Sequence, residues 1–175
     1  VNNVAHEFRT PLTITKGYVE NILDGILGQI NDQQKEALNS ILKVTDRLSN
    51  LVTNLLDISK IEAGKMELKR QKINFIDLLK EAYTQLIVIA QERNIELINT
   101  YSQDYIELWC DQEKIMEVLI NLVSNAIKAT PSQGQIQINV STYNGFLKVA
   151  VKDSGEGIPE DRLSKIFDKF ESLSK

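Results

Sequence analysis

Apolar residues recur at three- and four-residue steps twice in the first third of the chain. Val4, Phe8, Leu12, Val19, Ile22 and Ile26 make the first run. Leu38, Ile41, Thr45, Leu48, Val52 and Leu55, flanked by Val44, Leu51 and Ile58, make a second and stronger one. This spacing predicts amphipathic helices from Val4 to about Asp24 and from about Asp32 to Ala63, with Gly25, Gly28 and Asn31 as the break between them. Two helices joined by a short glycine-rich turn predict an antiparallel hairpin. Its apolar stripes are wider than one partner helix covers, and each large aliphatic left in water forfeits roughly 1.5–3 kcal/mol. The expected remedy is a second copy, giving a homodimer closed as a four-helix bundle. On periodicity alone, packing against the rest of the same chain stays open as the alternative.

Past Gly64 the period changes. Met66 to Ile73 alternates apolar and charged residues as a strand does, Phe75 to Arg93 returns to helical spacing, and a second domain is expected to begin near Lys69. Ile95 to Thr100, Ile106 to Cys110, Ile136 to Thr142 and Phe146 to Lys152 read as strands, the last two joined by a hairpin turn at Tyr143-Asn144-Gly145. Asp111 caps a long helix that runs to about Ala129 and is stopped by Pro131 and Gly134. Strands mixed with segregated helices predict an α+β sandwich with its helices on one face of the sheet. The expected division is residues 1–65 as the hairpin and 69–175 as the sandwich.

Composition narrows the function classes. The 175 residues carry 20 Lys and Arg against 24 Asp and Glu, a formal charge of -4, which argues against a surface built to neutralise nucleic-acid phosphates. The longest apolar run, Leu86 to Ala90, is far shorter than the roughly 20 residues of a membrane span, so no membrane contact is expected of this segment. A lone cysteine, Cys110, and a lone histidine, His6, exclude an internal disulfide and the usual zinc sites, and a reducing cytoplasm is the natural setting, with an anchored parent protein left open.

Three places carry candidate chemistry. On the first helix His6 has Glu7 beside it and Thr10 one turn on, and residues at i and i+4 share a face. A zincin would need a second histidine at position 10, so that reading fails. Pro11 costs roughly 3 kcal/mol inside a helix; the distortion either exposes the imidazole or is a simple irregularity. On the helix after Asp111, Glu117, Asn121, Asn125 and Lys128 line one face, opposite Ile115, Leu119, Leu122 and Ala126. That stripe looks at either water or a ligand. Asp153-Ser154-Gly155-Glu156-Gly157 then follows an apolar strand, placing an acid at the strand end and glycines in the loop. A tight turn explains D-x-G-x-G about as well as a ligand edge does, and neither the dinucleotide fingerprint nor the P-loop is matched.

The ordered set decides between these readings. H-E-F-R-T-P-L at 6–12, I-S-K-I-E-A-G-K at 58–65, N-L-V-S-N-A-I-K at 121–128, D-S-G-E-G-I-P at 153–159 and I-F-D-K-F at 166–170 resemble, in order, the H box, the interdomain join, the N box, the G1 box and the F box of bacterial sensor histidine kinases. The resemblance implies a dimerisation and histidine-phosphotransfer bundle followed by a Bergerat-type ATP-binding domain. It implies that His6 accepts phosphate, Glu7 activates its ring, Asn125 holds Mg²⁺, and Asn121 and Lys128 face the phosphates of ATP. Asp153 would take the adenine amino group, with Gly155 and Gly157 shaping the pocket edge. The implied reaction passes the γ-phosphoryl of Mg-ATP to His6 and then to an aspartate on the receiver domain of a response regulator. Glu7-Phe8-Arg9-Thr10 is similar to the E-x-x-T pattern linked to dephosphorylating the regulator, with Thr10 orienting the attacking water.

The chain departs from the pattern at two points. Ala129 stands where an aromatic usually follows the N box, implying looser packing near the nucleotide, and the sequence ends at Lys175 without a G2 box or the strands that complete the pocket. A catalytically weak dimeric module that docks a response regulator is the first alternative. An ATP hydrolase of related fold ranks below both, because such enzymes place a glutamate base where this chain has Asn121; Glu117 is the one available substitute.

Overall fold

The computed structural model describes residues 2–101 and 103–166, with side chains described from Glu7 onward. The chain divides into two compact units, 1–67 and 68–175.

The first unit is a pair of helices, α1 (Asn2–Leu23) and α2 (Asp32–Glu62), packed on each other. Helix α1 is continuous through Pro11, whose carbonyl accepts a hydrogen bond from Thr15 Oγ1 at 2.9 Å. The expected break falls where predicted: Gly25 and Gly28 both adopt positive φ, a conformation glycine reaches without steric cost. Asn31 starts α2 with a capping box, its side chain accepting from Gln34 N while Gln34 Oε1 accepts from Asn31 N. Between the helices Lys16 Nζ donates to Asp46 at 2.8 Å, and this half-exposed pair holds the Lys16 ammonium above its usual pKa, chiefly through the hydrogen bond and then through the charge of Asp46.

Little of the apolar stripe is covered within this unit. Val19, Thr45 and Leu56 are buried, whereas Phe8, Ile14, Tyr18, Val44, Leu51 and Leu55 remain more than half exposed. Phe8, Val44, Leu51 and Leu55, whose spacing predicted a wider bundle, therefore stay in water, joined by Ile14 and Tyr18.

The second unit is an α+β sandwich. A ribbon of β1 (Gln71–Asn74) and β3 (Glu107–Cys110) stands apart from a three-stranded sheet ordered β2 (Glu96–Tyr101), β4 (Gln135–Tyr143), β5 (Phe146–Asp153). Strand β2 runs parallel to β4 and β5 runs antiparallel to it. Helices α3 (Phe75–Glu92) and α4 (Gln112–Ala129) pack on each other and on one face of that sheet. The core between them holds Phe75, Ile76, Leu79, Val123, Ile136 and Ile138, all fully buried.

Local chemistry sets the boundaries. Asn74 Oδ1 accepts from both Ile76 N and Ile106 N, so one side chain caps α3 and ties its start to the segment leading into β3. Asn144 and Gly145 both have positive φ between paired Tyr143 and Phe146, the two-residue turn whose twist suits a hairpin.

Two expectations need correcting. The alternating stretch from Met66 forms a strand only from Gln71, because its partner β3 ends at Cys110, where the chain turns away to cap α4; Arg70 N instead bonds Leu68 O. On α4, Leu122 is exposed, and Val123 and Ile127 take the place expected for it beside Leu119 and Ala126. Periodicity located the apolar side of α4 and missed its centre by roughly 50° of helical rotation, about half a residue step.

Asp111 is the N-cap of α4, accepting from Lys114 N at 3.1 Å and Lys69 N at 2.9 Å. These backbone hydrogen bonds, Lys114 first, hold its carboxyl below the usual value of 3.8. As pH falls the unfolded chain takes up that proton before the folded one does. The stabilisation by the carboxylate is thus complete above the unfolded pKa and lost as pH drops through the lower folded value. The urea midpoint of Asp111→Ala should lie below that of the unaltered protein near neutrality, and the gap should narrow as the titration is repeated below about pH 4.

Candidate functional site

Burying one face of the sheet carries Asp153 to a defined place. Residues directly opposite in a ladder share a face, and the register pairs Asp153 with Ile136 and Val151 with Ile138. Ile136 and Ile138 point into the core beneath α3 and α4. Asp153 therefore projects on the helix side of the sheet at the last position of β5, where its side chain is exposed.

The loop after β5 closes on the C-terminal end of α4. A Cβ at Gly155 would lie 2.5 Å from the carbonyl oxygen of Ala129 and 2.8 Å from Asp153 Oδ1, closer than side chains tolerate, so only glycine lets the loop sit this tightly. Gly155 N donates to Asp153 Oδ1 at 2.9 Å. That bond engages Oδ1 alone, and a carboxylate has a second oxygen to offer as an acceptor. Gly157 has a φ of 75°, a left-handed turn that an L side chain strains to adopt.

Along α4 the polar stripe lies where helical geometry puts it. Asn121, Asn125 and Lys128 are exposed, opposite buried Leu119, Val123, Ala126 and Ile127. Lys128 is in the last turn, next to Ala129, so the stripe runs out at the end of the helix that Gly155 abuts. Glu117 is occupied differently: its Oε2 accepts from Lys114 Nζ at 3.0 Å.

Asn121, Asn125, Lys128 and Asp153 are each exposed and offer amide oxygens, an ammonium and a carboxylate. Among the described residues no group of three or more His, Cys, Asp or Glu side chains is gathered closely enough to hold a metal ion. A divalent cation held here would take few protein oxygens, such as Asn125 Oδ1, and complete its shell from phosphates and water, which is the habit of Mg²⁺. The donor set fits a metal-bound polyphosphate better than a bare ion.

The structure adds residues that the motifs do not single out. Ser154 Oγ accepts from Gln135 N at 2.9 Å while Ser154 N donates to Gln135 O at 3.1 Å, and Gly134 lies beneath that hydroxyl. From sequence Gly134 reads only as a helix terminator. Thr130 is buried and donates to Ala126 O at 2.7 Å, closing the end of α4. Half-buried Cys110 is no candidate nucleophile: burial first, and then the charge of Asp111, push its thiol up.

In the first unit, Glu7 and Thr10 are exposed on α1, on the same helix as His6. The His6 side chain lies outside the described residues, as do residues 167–170 of the F-box stretch.

Comparison with known proteins converges on one family. Residues 1–64 match the His Kinase A (phospho-acceptor) domain, and residues 110–175 match the histidine kinase-, DNA gyrase B- and HSP90-like ATPase family. Sensor histidine kinase WalK of Bacillus subtilis is 32% identical over 100% of this chain and 29% of its own length. The chain spans only 10% to 32% of the length of such curated relatives. Among solved structures, the nucleotide-free catalytic domain of histidine kinase ThkA is 33% identical, with a TM-score of 0.57 over 61% of this chain and 71% of that one. ThkA in complex with response regulator protein TrrA is 31% identical, with a TM-score of 0.61 over 98% of this chain and 49% of that one. Full-length ShkA in complex with AMPPNP, at 24% identity, shares the fold with a TM-score of 0.78 over 95% of this chain and 35% of its own. With a phospho-acceptor helical hairpin at one end, an ATPase-type sandwich at the other and near-complete alignment to such proteins, the chain belongs to the sensor histidine kinases of two-component systems.

Proposed function

We propose that the chain is the core of a histidine autokinase that moves the γ-phosphoryl of Mg-ATP to His6 and then to an aspartate of a response regulator. The observation that carries the nucleotide half is the meeting of two motifs at the end of α4. The polar stripe of Asn121, Asn125 and Lys128 runs toward Ala129, and Gly155 is pressed on the Ala129 carbonyl with Asp153 bonded to it. A base, a metal-bound triphosphate and an exposed helix face then have complementary partners in one place.

In this reading Asp153 Oδ2 accepts a hydrogen bond from the exocyclic amine of adenine. Gly155 and Gly157 let the ring lie against the backbone. Lys128 and Asn121 hold phosphate oxygens, and Asn125 gives its amide oxygen to Mg²⁺. When bound, Mg²⁺ neutralises charge that builds on the transferring group. An uncharged His6 ring nitrogen attacks the γ-phosphorus: an N–P bond forms, the bond to the β–γ bridging oxygen breaks, and ADP departs with its electron pair. Glu7 accepts the hydrogen bond of the other ring nitrogen and stabilises the charge that develops on the imidazole. ThkA's complex with a response regulator supports the second transfer, and the match to the phospho-acceptor domain supports His6. Hydrolysis of ATP by water is disfavoured, since Asn121 is a neutral amide and Glu117 is paired with Lys114.

The half-exposed stripe of the hairpin supports a homodimer. Burying the half-exposed Phe8, Ile14, Tyr18, Val44, Leu51 and Leu55 against a second copy recovers roughly 1–2 kcal/mol for each side chain on each protomer, enough to offset the cost of association.

Incubation with γ-labelled ATP and Mg²⁺ should leave label that is stable to alkali and lost in acid, as a phosphoramidate is, and His6→Gln should take up none. Label on any other residue overturns the kinase assignment, and no label from an intact dimer moves the function to regulator docking alone. Sedimentation at micromolar concentration should give a dimer, whereas Leu48→Asp with Leu55→Asp should give a monomer; a monomeric unaltered protein would refute the bundle. Thr10→Ala should slow dephosphorylation of the regulator at least about tenfold, the scale of a water-orienting group, while phosphotransfer persists. Equal phosphatase rates for Thr10→Ala and the unaltered protein would remove Thr10 from that role.

A further inference from the structure

We propose that Ser154 is a positioning residue for base recognition, setting the orientation of Asp153 through a clasp that it forms with Gly134 and Gln135. The inference rests on the nucleotide reading above and extends it to a residue outside the adenine contact itself.

The β4/β5 ladder ends at Ile136 and Asp153, and the next positions beyond it are Gln135 and Ser154. In an antiparallel pair of this kind each backbone would donate to the other's carbonyl. Here only half of that exchange occurs: Ser154 N donates to Gln135 O at 3.1 Å, but Gln135 N donates to the Ser154 side chain, Oγ, at 2.9 Å. The hydroxyl has replaced the Ser154 carbonyl. The backbone is thereby released from the sheet one residue after Asp153 while the side chain keeps the strand end pinned.

That release permits the turn that brings Gly155 onto Ala129 and its N–H onto Asp153 Oδ1 at 2.9 Å. Were the ladder completed in the ordinary way, the carbonyl of Ser154 would face β4 and the chain would continue straight. Gly134 makes room for the arrangement. A Cβ there would lie 2.7 Å from Ser154 Oγ and would also strike the Thr130 methyl. Gly134 O in turn accepts from Glu96 N at 2.9 Å, so the floor of the clasp is tied to β2. One face of the Asp153 carboxylate is consequently held by the loop, and the loop by Ser154.

The consequence is selective. A misaligned Asp153 loses its bond to the exocyclic amine but leaves the phosphate contacts of α4 as they were. Affinity should therefore be measured by calorimetry on the full chain for Mg-ATP and for the Mg complex of purine riboside triphosphate, which lacks the 6-amino group. The proteins are the unaltered chain, Ser154→Ala, Ser154→Thr and Asp153→Ala.

Ser154→Ala should weaken Mg-ATP about three- to tenfold, up to the loss of one charge-assisted hydrogen bond, and change the des-amino analogue less than about twofold. Ser154→Thr, which keeps the hydroxyl, should restore the preference for ATP. Gly134→Ala should mimic Ser154→Ala. Equal weakening of both nucleotides by Ser154→Ala would mean a merely structural role and overturn the inference, as would an unchanged ATP preference. If the unaltered chain and Asp153→Ala bind the two nucleotides alike, the assignment of Asp153 to adenine itself fails. That result is distinguishable, because it appears without any change at Ser154.

Discussion

One-sided burial of the β2-β4-β5 sheet is the constraint on which the second unit depends. Leu97, Ile136, Ile138 and Val140 can leave water only if helices cover the face they share, and α3 and α4 supply that cover with Leu79, Leu86, Leu119 and Val123. Each of these side chains contributes roughly 1.5–3 kcal/mol when fully buried, far more than any surface ion pair of the molecule. The register that serves this burial also sends Asp153 to the helix side at the sheet's edge. The candidate base-reading acid is placed by the same alternation that builds the core.

The first unit shows the opposite balance. Its two helices hold each other through few buried side chains, with Lys16 and Asp46 as a half-exposed link, and most of the stripe stays in water. Such a pair gains little from intramolecular packing and much from further association. Its α2 helix is well started by the Asn31 capping box, so its ends are defined locally even though its apolar face is not satisfied locally. Local order and unmet burial together suit a module that functions by pairing.

Much of this was legible in the residues. The three- and four-residue steps marked α1 and α2, the Asp111 cap bounded α4, and Asn144-Gly145 marked the hairpin, because each depends on interactions within a few residues. The motif residues Asn121, Asn125 and Lys128 fell on one exposed face for the same reason, since 3.6 residues per turn fixes which neighbours align. Less legible were features that need a distant partner. Met66 to Arg70 alternates like a strand, yet the strand starts only where β3 offers a neighbour. Leu122 is as apolar as Val123, and the rotation of α4 on the sheet decided which of them was buried.

The amino-acid sequence by itself determined the elements, their order and the residue types available for chemistry, because propensity, capping and periodicity act over one or two turns. Tertiary packing decided what those residues could become together. Gly155 lies against Ala129, 26 positions earlier, and Ser154 replaces its own carbonyl to bond Gln135, 19 positions earlier. Neither approach has a local signal, since the first arises from the fit of a loop to a helix end and the second from the far end of a strand pair, which only the assembled core brings within reach.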